Sequence, residues 1–277
     1  MLYIATVHYR SPRWVEIQTR YLREHIPVEF QVWSSLQDID PGYGIHFDRV
    51  VDQRGSHAGK LNHLATEIAE EASDSDLLMF LDGDAFPIAD PMPLIAEGLA
   101  EAPLMAVRRA ENGDEPQPHP CFCVTTVGTW RRLPGDWTAG ATWLGVGGNR
   151  TSDVGGNLLR RLELRRMPWV QVLRSSGTTV DPLYFGIYGG AIYHHGAGFR
   201  TGELSPAHRS LTPKRFTLAD TPLLRPATRA VNRARWMWWE RRTERRLVRE
   251  SERIFREIQG GGADWVAALA PSRQPAP

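Results

Sequence analysis

Cysteine is almost absent from this chain: two residues, Cys121 and Cys123, in 277. One residue apart on a strand, they point to opposite faces, which argues against a disulfide between them. Two sulfurs are also too few ligands for a structural zinc. A disulfide framework is therefore excluded, and a reducing cytoplasm is the expected compartment. There is no run of about 18 apolar residues, so no membrane-spanning helix is expected. The N-terminus, Met1-Leu2-Tyr3-Ile4-Ala5-Thr6-Val7, lacks the basic region and cleavage site of a signal peptide and reads as a first core strand. Charge of one sign is lacking too: the net charge of +1 points to no partner by itself, and no nucleic acid is expected.

What is present is ordinary globular material, 42% hydrophobic and 23% charged, in a length that suits one large α/β domain with appendages. Residues 2–8 read as a strand, 11–25 as a helix, 28–33 and 49–51 as strands. Residues 58–72 read as a helix with Leu61, Leu64, Ile68 and Ala72 on one face, 77–81 as a strand and 91–100 as a helix. This alternation predicts a mostly parallel sheet with helices on both faces. Beyond residue 103 the pattern loosens. Strands are expected near 104–109, 120–126, 169–173 and 184–195, with a short basic helix at 157–166 and a glycine-rich loop region over 135–156.

The most informative stretch is Leu77-Leu78-Met79-Phe80-Leu81-Asp82-Gly83-Asp84. A buried strand runs into two aspartates one residue apart, at the strand's C-terminal end, where open α/β sheets place their ligands. Two carboxylates there are costly to keep ionised unless a cation joins them. Hard oxygen ligands of this kind suit Mg²⁺ or Mn²⁺ completed by phosphates. Gly83 supplies the turn.

Placed after some 80 residues of βαβ pattern, Leu81-Asp82-Gly83-Asp84 resembles the D-x-D motif of GT-A fold glycosyltransferases. Two other segments support the resemblance: Gly55-Ser56-His57-Ala58-Gly59-Lys60-Leu61-Asn62, which opens the preceding helix, and Tyr193-His194-His195-Gly196-Ala197-Gly198-Phe199-Arg200, which looks like the late histidine motif of these enzymes. The resemblance covers about residues 1–200. It implies a GT-A-like, Rossmann-type sheet, a nucleoside diphosphate sugar donor, a hydroxyl-bearing acceptor, and Mn²⁺ or Mg²⁺ held by Asp82, Asp84 and His195. His195 is preferred to His194 because the spacing to the following glycine and arginine begins there. Thr6, His8 and Arg10 after the first strand, Lys60 at a helix N-terminus, Gly83 and Arg200 are the further donor-binding candidates. An inverting enzyme needs a carboxylate base, and Asp153, ahead of Gly155-Gly156, is the candidate. Trp130, Trp137 and Trp143 are candidates for an acceptor-lining aromatic surface or for core.

The expected domains are 1–200, a catalytic unit with a nucleotide-sugar half (1–110) and an acceptor half (111–200); 201–260, an extension with a long basic helix; and 261–277, a disordered tail. Between Arg225 and Glu257 eleven arginines stand against five acidic residues. Such an amphipathic helix either packs on the catalytic unit or lies peripherally on an anionic membrane. Two other functions fit the same residues: a haloacid-dehalogenase-like phosphatase with Asp82 as nucleophile, and a sugar-binding protein of the same fold without turnover.

Overall fold

The computed structural model describes residues 1–145, 150–177, 181, 183–196, 204, 208, 225–261 and 264–269, the side chains of 225–227 and 264 excepted. A seven-stranded sheet forms its centre. Its strands are β1 (Leu2–Tyr9), β2 (Phe30–Gln37), β3 (Arg49–Val50), β4 (Leu77–Asp82), β6 (Leu104–Val107), β7 (His119–Thr126) and β10 (Val170–Val172), in the order β10-β6-β7-β4-β1-β2-β3. Four neighbouring pairs are parallel, and β7 runs antiparallel to both β4 and β6. This is the mostly parallel α/β sheet that the alternation of apolar runs predicts.

Helices cover both faces. On one lies α2 (His57–Glu71), whose Leu61, Leu64 and Ile68 pack on Ala5, Phe80 and Cys123. On the other, α1 (Val15–His25) and α3 (Met92–Glu101) contribute Val15, Leu22 and Ile95 to a second cluster with Ile4, Met79 and Cys121. The two cysteines thus lie on opposite faces of β7, both free and buried, as strand alternation requires. Trp130, on α4 (Val127–Arg132), and Trp137 are core residues, one tilted and one edge-on against Phe80, not an acceptor surface. The glycine-rich region holds a small hairpin, β8 (Trp143–Leu144) with β9 (Arg150–Thr151), followed by α5 (Gly156–Leu164).

A second, three-stranded sheet positions the site. Strand β5 (Ala85–Pro87) leaves the Gly83-Asp84 turn and pairs antiparallel with β12 (Ile192–His194), which pairs in turn with β11 (Gly186–Tyr188). Apolar residues of this sheet meet α1 and the C-terminal helices in a third cluster: Trp14, Ile17, Tyr21, Phe86, Phe185, Ile187 and Tyr193 with Ile254, Phe255, Ile258, Trp265 and Leu269. Those last five residues lie on α6 (Arg225–Gln259) and α7 (Asp264–Leu269). The long helix packs on the body through its C-terminal third, one of the two placements expected for it. The expected disordered tail holds a helical turn at 264–269, because Trp265 and Leu269 find an apolar socket and Trp265 Nε1 donates to Tyr21 at 3.2 Å.

Candidate metal centre

Strand β4 ends at Asp82, and the chain turns at once into β5. Gly83 makes this turn fit: a Cβ there would lie 2.5 Å from the Val7 carbonyl oxygen and 2.8 Å from His8 Nδ1. Buried Gln18, on α1, ties the two strands together. Its amide donates to the carbonyl oxygens of Asp82 and Ala85 at 2.8 and 2.7 Å. Its Oε1 accepts from Thr6 Oγ1 at 3.1 Å and meets His8 Nε2 at 3.0 Å. Thr6 and His8 are fully buried. They therefore buttress the turn from beneath through Gln18. Burial pushes the His8 imidazole down to about 4, partly opposed by its bond to Gln18.

The register of the small sheet decides which histidine faces the carboxylates. His194 lies opposite Ala85, and its Nε2 stands 3.5 Å from Asp82 Oδ2 and 3.6 Å from Asp84 Oδ1. Ligand atoms of Asp82, Asp84 and His194 all lie within 4.8 Å of one another. His195 points the other way, since successive strand residues alternate faces. Its Nδ1 meets Tyr193 Oη at 2.9 Å and its Nε2 meets Ser251 Oγ on α6 at 2.7 Å, among Trp14 and Phe185. The expectation that His195 completes the ligand set is corrected to His194. The backbone N–H of His195 still serves the site, donating to the Asp84 carbonyl at 3.0 Å.

Two further histidines surround Asp82. His57 Nε2, at the first turn of α2, lies 3.2 Å from Oδ1, and His119 Nδ1, at the start of β7, lies 3.9 Å from Oδ2. Burial pushes the Asp82 carboxyl up, but the histidines, His57 foremost, outweigh it and hold the group below the usual carboxylate range. Burial lowers the imidazoles of His119 and His194, although the nearby carboxylates oppose it. Carboxylate oxygens and an imidazole nitrogen brought this close together form a donor set that suits a divalent cation. The sequence pattern places His57 in its helix without a role and does not single out His119 or Gln18. The only signal was a histidine at each of two element starts, which is weak without knowledge of which strand adjoins β4.

The chain is similar to solved glycosyltransferase structures. One is a galactosyltransferase, LgtC, solved with donor and acceptor sugar analogues (13% identity over 47% of this chain and 59% of that one, TM-score 0.33). Another is the glycosyltransferase GlyE of Streptococcus pneumoniae (15%, 48% and 37%, TM-score 0.34). S. aureus TarS gives 12% identity over 49% of this chain and 30% of its own, with TM-score 0.36. Each likeness spans less than half of this chain and less than two thirds of the other protein. No protein-family model matches the sequence, and no curated protein matches it.

Of the remaining candidates, Lys60 and Arg10 come together, both over the Tyr9 ring and beside Asp38. Lys60 is buried in the first turns of α2, with Nζ 4.8 Å from the Tyr9 ring centroid. Burial lowers its pKa, opposed by Asp38. Arg10 is exposed at the end of β1, 3.9 Å from Asp38. Asp153 is exposed and accepts from the Val154 N–H at 2.7 Å, so it shapes the turn ahead of α5. Not far from it lies buried Glu115, whose carboxyl burial pushes up to about 7 and which accepts from Asn112 Nδ2 at 2.6 Å. Arg200 lies outside the described residues.

Proposed function

We propose that this protein is a metal-dependent glycosyltransferase that moves a sugar from a nucleoside diphosphate sugar to a hydroxyl acceptor. The observation that carries the reading is the convergence of Asp82, Asp84 and His194 at the C-terminal rim of a mostly parallel sheet. Two carboxylates and one imidazole fit Mn²⁺ or Mg²⁺, with the nitrogen ligand favouring Mn²⁺. When bound, such an ion supplies charge neutralisation to a diphosphate leaving group.

The chain's own residues do the rest. Gln18 and Gly83 hold the two aspartates at a fixed spacing. His57 and His119 orient the Asp82 carboxylate, as partners of a metal ligand do. Lys60, Arg10 and Arg200 are the cationic groups proposed for the donor. On the acceptor side, Asp153 is the proposed base, with Glu115 the buried carboxylate near it. A base works best with a pKa near the operating pH, so replacing each in turn separates the two roles. Asp153→Asn should lower kcat at least a hundredfold while donor affinity stays within about twofold. If Glu115→Gln alone has that effect, the base is Glu115.

The reading is tested by incubating the protein with a panel of nucleoside diphosphate sugars, with Mn²⁺ or with chelator, and following release of nucleoside diphosphate. Turnover of at least one donor that needs the metal and disappears in Asp84→Asn is expected. Metal-independent turnover, or release of phosphate from phosphomonoesters through a trapped aspartyl-phosphate at Asp82, would overturn it.

A further inference from the structure

The long helix α6 has two unlike parts. From Leu247 to Ile258 it is anchored: Leu247, Ser251, Ile254, Phe255 and Ile258 are buried. Arg13 pairs with Glu252 at 2.8 Å, and Arg20 donates to the Ile258 carbonyl at 2.8 Å. From Arg229 to Arg246 it carries seven arginines and two acidic residues, and here large apolar side chains are left in water. Trp238 is 61% exposed, and Val231, Trp236 and Met237 are each about 40% exposed.

Helical spacing sorts these residues into faces. Val231, Ala234 and Trp238 follow one another at intervals of three and four, and Arg241, Arg242 and Arg245 continue the same stripe. The guanidinium of Arg242 lies 5.1 Å from the Trp238 ring centroid, a cation–π contact. Neither carboxylate of this half shares the stripe: Glu240 and Glu244 fall toward the other side and are only partly exposed. An exposed stripe of one tryptophan and small apolar residues, ringed by arginines and free of acids, matches the interface between lipid headgroups and acyl chains. There the indole sits at headgroup depth and arginine stems snorkel to phosphates. The stripe runs along a single helix and joins its arginines directly to the exposed indole, the arrangement of a helix lying flat on an anionic surface. No helix among the described residues is long and apolar enough to cross a bilayer.

We propose that residues 229–246 of α6 form a docking arm for an anionic bilayer surface, fixed to the body by the buried 247–258 segment. This assignment does not depend on the reaction performed at the metal centre. The chemistry recognised is the anionic phosphodiester headgroup together with the shallow apolar layer beneath it.

Cosedimentation of the full chain with vesicles of phosphatidylcholine alone, and of phosphatidylcholine with phosphatidylglycerol, tests it. Binding is expected only to the anionic vesicles and should weaken strongly at about 0.5 M salt. Arg241→Glu/Arg242→Glu/Arg245→Glu should cut the partition coefficient roughly 100-fold or more. Trp238→Ser should cut it several-fold at unchanged melting temperature, since both sites are exposed. Brominated lipid should quench the wild-type fluorescence more than that of Trp238→Phe. Equal binding to neutral vesicles, no binding, a charge-reversed variant that binds like wild type, or stronger retention by a single-stranded oligonucleotide than by the anionic vesicles overturns the proposal.

Discussion

At the scale of single residues, adjacent histidines divide two tasks. His194 lies with the aspartates and His195 is packed under them against α6. Replacing His194 by Ala should weaken Mn²⁺ binding at least tenfold at little cost in stability. Replacing His195 by Ala should do the reverse, destabilising by about 2 kcal/mol through a cavity and two lost hydrogen bonds. Calorimetric metal titration and urea unfolding of both variants check this; equal effects on metal affinity would contradict it. Gly83→Ala should cost about 2–3 kcal/mol, because the added methyl meets the Val7 carbonyl and the His8 ring. Urea unfolding measures it, and a variant as stable as wild type would mean the turn is not as tight as described. Buried His8 sets a pH dependence. Its folded pKa, about 4, lies below the unfolded value near 6.5, so the unfolded chain binds the extra proton. Stability from this group is complete above pH 6.5 and is lost as pH falls toward 4, by about 3 kcal/mol. Unfolding free energies measured between pH 7.5 and 4 should fall in that window, and a flat profile would contradict the burial of His8.

At the scale of elements, the sequence carried most of what local physics dictates and little of what register dictates. The β4 strand, α2 with its buried stripe, and the 225–258 helix were legible because each is long and strongly patterned. The opposite faces of Cys121 and Cys123 followed from strand alternation alone. The same alternation makes His194 and His195 mutually exclusive as ligands, yet choosing between them requires knowing that β12 pairs with β5 and that His194 falls opposite Ala85. That pairing spans about a hundred residues and leaves no local trace. Gln18 was hidden for the same reason: on the helix it reads as an ordinary polar position, and only the fold brings it under the Asp82–Ala85 turn. The fate of the C-terminal helix turned on its last third. Ile254 is buried against the site sheet, so Ile254→Ala should cost about 2–4 kcal/mol, seen as a lower urea midpoint. Deleting residues 225–277 should leave an aggregating protein with its third cluster exposed. A soluble, metal-binding truncation would show that the helix is a mere appendage.

At the scale of the whole molecule, the two sheets and the terminal helices converge on one short turn. The central sheet delivers Asp82, the small sheet delivers His194 beside Asp84, and α6 holds His195, just after that strand, from behind. The α/β architecture anticipated from the strand–helix alternation is realised, and so is the placement of the aspartate pair at the sheet rim. Everything assigned to donor and acceptor rests on that rim holding a divalent cation. The most direct measurement is a Mn²⁺ titration of the full chain followed by electron paramagnetic resonance, with Asp84→Asn and His194→Ala in parallel. One tight site per chain is predicted, lost in Asp84→Asn and weakened in His194→Ala. Manganese bound equally well by wild type and Asp84→Asn would contradict the account.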